Sequence, residues 1–204
     1  VQQVRGGRLA DLALSMIDII DRNLYERSCD VRWWATDSAV VESCEQQSVA
    51  AAQFASKRLG VILDSYTVYL DLWVANADGI VLANGRPARY PGVVGSNVGN
   101  QQWFQDAMHT RSGGDFAVAD VETLPLLQGA QVATYATAIR RDGENHGEPI
   151  GALGIFFDWG PQAAAVVNGV RLREEERTRT RCMLVDSSHR LIASSDRLAQ
   201  LGQH

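Results

Sequence analysis

The sequence predicts an α+β fold, and three observations carry that prediction. Tyr69–Leu82 reads YLDLWVANADGIVL, two runs of strand formers on either side of an Asp78-Gly79 turn, which is a strong short-range hairpin signal. The same texture returns about 110 residues later, where Leu184–Ala193 matches Val74–Ala83 in strand, polar turn and strand. Ahead of the first hairpin, Arg8 to Ser65 contains no proline and one glycine, Gly60, with apolar residues at helical spacing. The expected architecture is a long N-terminal helix packed on an antiparallel five-stranded sheet, followed by the start of a second, smaller module. The chain divides accordingly into a helical segment 1–65, a sheet-bearing module 66–160, and a linker helix with a partial second module 161–204.

In the first segment the apolar positions are Leu9, Leu12, Met16, Ile19/Ile20, Leu24, Val31, Trp34 and Val41, then Val49, Ala52, Leu59 and Ile62/Leu63. They predict one very long helix, with Thr36–Ser48 as the place where it would break and Asp37-Ser38 or Ser43 as caps for a new start. A helix of ~40 residues exceeds the usual globular length, and the middle of this one is polar, which suits a stalk or a dimer seam. The alternative is a helical hairpin packed on its own sheet. Trp33 and Trp34 point ~100° apart on a helix, so at most one faces a narrow core seam.

After the first hairpin, Asn84–Asn100 is rich in Gly and Pro and reads as a loop. Its glycine spacing matches neither a P-loop nor a dinucleotide fingerprint. Gln101–His109 reads as a short helix and Arg111–Asp115 as a turn. Phe116–Glu122, Val132–Ile139 and Ile150–Trp159 read as strands, with Arg141–Glu148 turning between the last two. Counting the first hairpin, these make five strands. Pro161 is expected to start a helix running roughly to Glu176, and the second hairpin follows before the chain ends at His204.

The 204 residues are 46% apolar and 21% charged, with net charge −5, enough for a sizeable core and against disorder. The densest arginine run, Arg171–Arg181, is interleaved with Glu174, Glu175 and Glu176, which argues against nucleic acid as a partner because phosphate neutralisation needs clustered cations. No apolar stretch reaches the ~18–20 residues needed to span a bilayer. There is no initiator Met and no signal-peptide pattern, so the chain reads as an excised piece of something longer. Cys29, Cys44 and Cys182 sit in no CxxC or CxxCH pattern, so neither structural zinc nor covalent haem is predicted. Cys29 and Cys44 would be ~22 Å apart on one straight helix, beyond disulfide reach unless the chain turns back; buried free thiols are the favoured reading. His109, His146, His189 and His204 show no metal-ligand spacing, and no Gly-x-Ser-x-Gly is present. Neither an enzyme nor a cofactor is predicted.

Four features, taken together, resemble a known family: the long helix leading into WVANADGIVLANG, the loop ending in VGNQQWFQDA, the strands GDFAVADVE and VATYATAI, and the closing GEPIGALGIFFDW. They cover about residues 50–160, and the chain is similar there to the double Cache sensor domain, a PAS-like fold of bacterial chemoreceptors, sensor histidine kinases and diguanylate cyclases. The resemblance implies the periplasmic, extracytoplasmic ligand-sensing part of an inner-membrane signal-transduction receptor, anchored by segments outside this chain. A methyl-accepting chemotaxis protein is expected first, a histidine kinase or diguanylate cyclase second. The long polar-flanked helix itself points to a homodimer through the N-terminal helix.

In such domains the ligand lies between the sheet and the loop–helix segment, which carries an Arg-x-Trp-Tyr motif in amino-acid-binding members. Here those positions read Gln101-Gln102-Trp103-Phe104. The Trp is kept, the Tyr has lost its hydroxyl, and the Arg that grips a carboxylate bidentately has become a neutral amide. The Asp that binds the ligand ammonium corresponds to Asp158, and a middle-strand Tyr is replaced by Ala119 or Asp120. The implied ligand is an amine, an amino acid or an organic acid. Physically, Trp103, Phe104, Phe116 and Tyr135 could wall a small-molecule site, with Gln101, Asp120 and Asp158 as convergent polar groups. Each aromatic could equally be core. Asp158 could cap the following helix, and Asp120 could be a surface residue at a strand end. The reading from a different class is a dimerisation or partner-docking ectodomain with no small ligand.

Overall fold

The stretch expected as one long helix forms three. The computed structural model describes residues 2–195; His204 and the end of the 161–204 segment lie outside the described residues. α1 spans Gln2–Trp34, α2 Ser38–Gln46 and α3 Val49–Ser65. The breaks have local causes. The Asp37 carboxylate accepts from the Ala39 amide and caps α2. Gln47 then takes a left-handed conformation (φ 48°), and the Ser48 hydroxyl caps α3 through the Ala51 amide. Asp37 was one of the two expected caps; Ser43 instead lies inside α2, its hydroxyl donating back to the Val40 carbonyl. The tryptophan pair separates as helical geometry requires: Trp33 is 78% exposed and Trp34 is 7% exposed, the latter packed edge-on against Tyr66 and Tyr69.

Five strands follow: β1 Tyr69–Asn76, β2 Val81–Asn84, β3 Ala117–Leu124, β4 Ala130–Arg140 and β5 Pro149–Asp158. The short helix α4, Gln102–Met108, falls between β2 and β3. The sheet is antiparallel, in the order β2-β1-β5-β4-β3. At the first hairpin the Asn76 side chain accepts from the Asp78 and Ile80 amides, and Gly79 sits at φ +80° with Gly99 so close that a Cβ would be 2.5 Å from its Cα. Only glycine serves there. The loop after β2 folds back along that edge, with Val81 and Ser96 hydrogen-bonded and Ile80 bridged to Asn97.

One face of the sheet carries an apolar cluster that includes Trp73, Ala75, Val132, Ala136, Ala152 and Phe156 with Trp103, Phe104 and Ala107 of α4. Beside it, Asp71 is fully buried. Its carboxylate accepts from the Leu72, Gly85 and Arg86 amides, the Trp73 indole and the Asn84 side chain. Burial holds the carboxyl above its usual range and these bonds pull it only part of the way back; every partner is a donor, so the ionised form is the one whose hydrogen bonds the site satisfies.

Residues Arg27–Asp158 form one compact unit, and 2–26 with 159–195 another, so α2 and α3 belong with the sheet. In the second unit the helix expected from Pro161 to Glu176 is two helices, α5 Trp159–Asn168 and α6 Glu174–Arg177. Gly169 closes the last turn of α5 on the Ala165 carbonyl. β6 Met183–Val185 and β7 Leu191–Ser194 make the second hairpin. Its likeness to the first extends to detail. Both carry a register shift at matched positions, Val74/Ala75 and Leu184/Val185. Asp186 accepts the Ser188 and Arg190 amides as Asn76 accepts those of Asp78 and Ile80. His189 takes the positive φ that Gly79 has. All three cysteines are free thiols; Cys44 is buried and Cys29 and Cys182 partly so.

Candidate functional site

Alternation along the strands decides which expected site residues share a face. On β5, Ala152, Gly154, Phe156 and Asp158 point towards α4, since Gly154 lies directly under the Trp103 ring and Phe156 packs against it at 5.8 Å. Val132 pairs with Asp158 and Glu122 pairs with Val132. Glu122, Val132 and Asp158 therefore form one row across three strands, on the same face as Trp103.

Gln101, Trp103 and Phe104 arrive together at the start of α4. Gln101 is the N-cap residue without a side-chain cap bond, and its amide oxygen instead accepts the Trp103 indole N–H. Trp103 is 1% exposed and Phe104 6%, with Trp103 edge-on to Trp73, Phe104 and Phe156. These two aromatics fill the cluster between α4 and the sheet.

Phe116 and Tyr135 do not join them. Tyr135 faces the other side of the sheet, between Val118 and Ile155 in the pairing. Phe116 stacks on it at 6.2 Å beneath the Arg32 guanidinium of α1. The expectation that all four aromatics wall one site is corrected by the strand period of two. Asp120 is exposed. It falls where β3 breaks register between Ala119 and Glu122, and that irregularity gives Glu122 the place beside Val132.

What the structure adds near Asp158 comes from the loop after β2. Arg89 acts electrostatically on the Asp158 carboxyl, which burial raises above the usual carboxylate range and Arg89 pulls back. Tyr90, itself buried, lies under the Arg89 guanidinium at 5.1 Å and feels the Asp158 charge. The Arg89 carbonyl is held by the Gln128 side chain. Burial also raises Glu122. Glu122 is nonetheless exposed; it is Asp158, a partly desolvated carboxylate near a cation and an aromatic, that bears a recognised mark of a functional site. Arg89, Tyr90 and Glu122 were missed from sequence; the loop carried no motif, and Glu122 reads as an ordinary strand-end charge.

A separate cleft of about 770 Å³ lies between α3 and the β2–loop edge, lined by Ala52, Ser56, Lys57, Val81, Pro87 and Val94 among others, and holds none of the expected residues. Among the described residues no group of three or more His, Cys, Asp or Glu is placed to hold a metal, and no helix is long and apolar enough to cross a membrane.

Comparison with solved structures places this architecture. The chain is similar to the sensor domain of the V. cholerae histidine kinase DctB, with TM-score 0.75 and 12% identity over 93% of this chain and 66% of that one. It is similar to the ligand-binding domain of the Campylobacter jejuni chemoreceptor Tlp3 in complex with 4-methylisoleucine, with TM-score 0.70 and 19% identity over 91% of this chain and 68% of that one. It is similar also to that of the Pseudomonas fluorescens chemoreceptor CtaA in complex with L-serine, with TM-score 0.63 and 15% identity over 96% and 74%. The chain thus spans about two thirds of the length of the first of these domains. No protein-family model and no curated protein matches it. The fold is that of the Cache-type sensor domain, as its hairpin, loop and α4 segments suggested.

Proposed function

We propose that the chain is the extracytoplasmic ligand-sensing domain of a membrane-anchored signal-transduction receptor. A methyl-accepting chemotaxis protein is the first choice, and a histidine kinase or diguanylate cyclase the alternative. The fold supports this reading, since its structural neighbours are sensor and ligand-binding domains of both receptor kinds; the same likeness favours binding over catalysis. The observation that carries it is the place of Asp158 at the end of the α4-covered face, in the row of Val132 and under the electrostatic influence of Arg89, which itself lies over the Tyr90 ring. An anion and a cation so placed suit a small metabolite bearing an ammonium group, the amino acids included. Asp158 would take the ammonium, and Arg89 the acid group that Gln101 can no longer hold. A ligand that favours one arrangement of the domain shifts its population by differential affinity alone.

Calorimetric titration with amino acids, simple amines and organic acids tests this. Saturable binding by an ammonium-bearing compound, lost in Asp158→Asn, is expected. Loss in Arg89→Gln for zwitterions but not for simple amines would assign the acid-binding role. Binding that survives Asp158→Asn unchanged would refute the site.

A second reading has its own support. Trp103 and Phe104 are buried among core side chains, as a ligand-free dimerisation or docking ectodomain would have them. α1 also leaves Leu14, Ile17, Ile19 and Tyr25 exposed, a surface suited to a homodimer seam. A domain that stays dimeric at micromolar concentration and gives no thermal shift with any of these compounds would favour it.

A further inference from the structure

Arg140, at the end of β4, is 6% exposed, and its guanidinium is spent on neutral partners. Nη1 donates to the Gly147 carbonyl at 2.8 Å and Nη2 to the carbonyl and hydroxyl of Thr110. The enclosed Nε has no partner. The neighbouring acid, Glu148, is taken by Arg141, and among the described residues no carboxylate lies within ion-pair distance of Arg140. A buried cation without a counter-charge is costly.

A cavity of about 100 Å³ opens against this side chain. Its walls include Arg32 from the last turn of α1, Gly113, Thr137 of β4, Glu144 and Asn145. Arg32 also lacks an acid partner: Nε donates to the Ser28 carbonyl, Nη1 to the Gly114 carbonyl and Nη2 to the Cys29 sulfur. Two guanidinium groups thus line one small space, and Glu144, the carboxylate on its wall, is exposed and forms an ion pair with neither of them.

The geometry points to a binding site for a small inorganic anion between the last turn of α1 and the end of β4. The planar donors of Arg32 and Arg140 suit an oxyanion of sulfate or phosphate type. This site is on different residues from the Asp158–Arg89 site and does not depend on that reading. Its occupant would tie the end of α1 to the sheet and make the stability of the unit respond to the anion.

The test is thermal unfolding of the whole domain titrated with sulfate, phosphate and chloride at constant ionic strength. The wild type should show a saturable rise in Tm, ~5–10 °C at a hundredfold excess over Kd. Arg32→Gln leaves the buried Arg140 in place, so it should fold and keep only the gradual, unsaturable effect of excluded salts. Saturation by sulfate or phosphate alone assigns an oxyanion; saturation by chloride as well assigns a site limited by size. A linear response in the wild type, equal to that of Arg32→Gln, would overturn the proposal.

Discussion

The Trp73 indole donates to the Asp71 carboxylate at 2.9 Å, two residues back along the same strand. It anchors an aromatic ring whose centroid lies 4.1 Å from that of Phe156. The polar centre and the aromatic cluster are therefore one construction: Asp71 fixes Trp73, Trp73 packs on Phe156, and Trp103 closes over both.

Asp71→Asn should be among the most destabilising substitutions in the chain. The amide would set an NH2 group against neighbours that are all donors, leaving several buried groups unmatched. The expected cost is ~3 kcal/mol, which lowers Tm by ~6–12 °C for a domain of this size. Asn84→Ala removes one donor of five and should cost less. Urea unfolding of the two variants ranks them.

Gly154→Ala should also destabilise, for a steric reason. A Cβ there would lie 2.9 Å from the Trp103 ring and 3.2 Å from Phe156. Forcing those rings apart should cost ~1–3 kcal/mol and alter the near-UV circular dichroism. Gly151→Ala meets the Ala75 carbonyl oxygen at 2.3 Å, a ladder atom that cannot swing aside, and should be worse.

The pH dependence of stability should carry the signature of Asp158 and Glu122. Burial raises both, so the folded chain holds these protons more tightly than the unfolded chain. Stability is then present at low pH and falls as pH rises through the folded-state pKa values. Arg89 narrows the effect at Asp158 without reversing it. Asp158→Asn should be more stable than the wild type near pH 7, and the difference should close below about pH 4, where the unfolded carboxyl is also protonated. Denaturant midpoints across that range check the sign.

Among the three thiols, Cys44 should resist alkylation in the native state. Burial pushes it up to about 12, so little thiolate is present at neutral pH. Cys29 and Cys182, both partly exposed, should label first, and Cys44 only on unfolding, as mass spectrometry of the labelled chain would show.

Much of the fold was legible because its signals are local. The Asp78-Gly79 turn, the apolar runs of the five strands and the position of α4 depend on neighbours in sequence. The site was less legible because it depends on partners. Which face Tyr135 takes is set by its pairing with Ile155 and Val118, and Glu122 reaches the row of Asp158 only through a register break. Trp103 and Phe104 were foreseen as a pair, but residue type alone could not say whether they line a pocket or fill it. Asp71, a lone acid in an apolar run, gives no hint that five donors converge on it. Arg89 belongs to a loop whose path is fixed by contacts made after the chain has folded back.

The position of β5 in the order β2-β1-β5-β4-β3 has a consequence for how the sheet is made. β1 and β2 form one hairpin and β3 and β4 another, and only β5 joins them, pairing Tyr69 with Phe157, 88 positions later (157 − 69). Until that last strand has left the ribosome, the two hairpins have no common partner. Assembly of the sheet therefore waits for nearly the whole unit to be synthesised, and a nascent chain stopped short of Pro149 carries β1 with an open edge that invites the wrong neighbour.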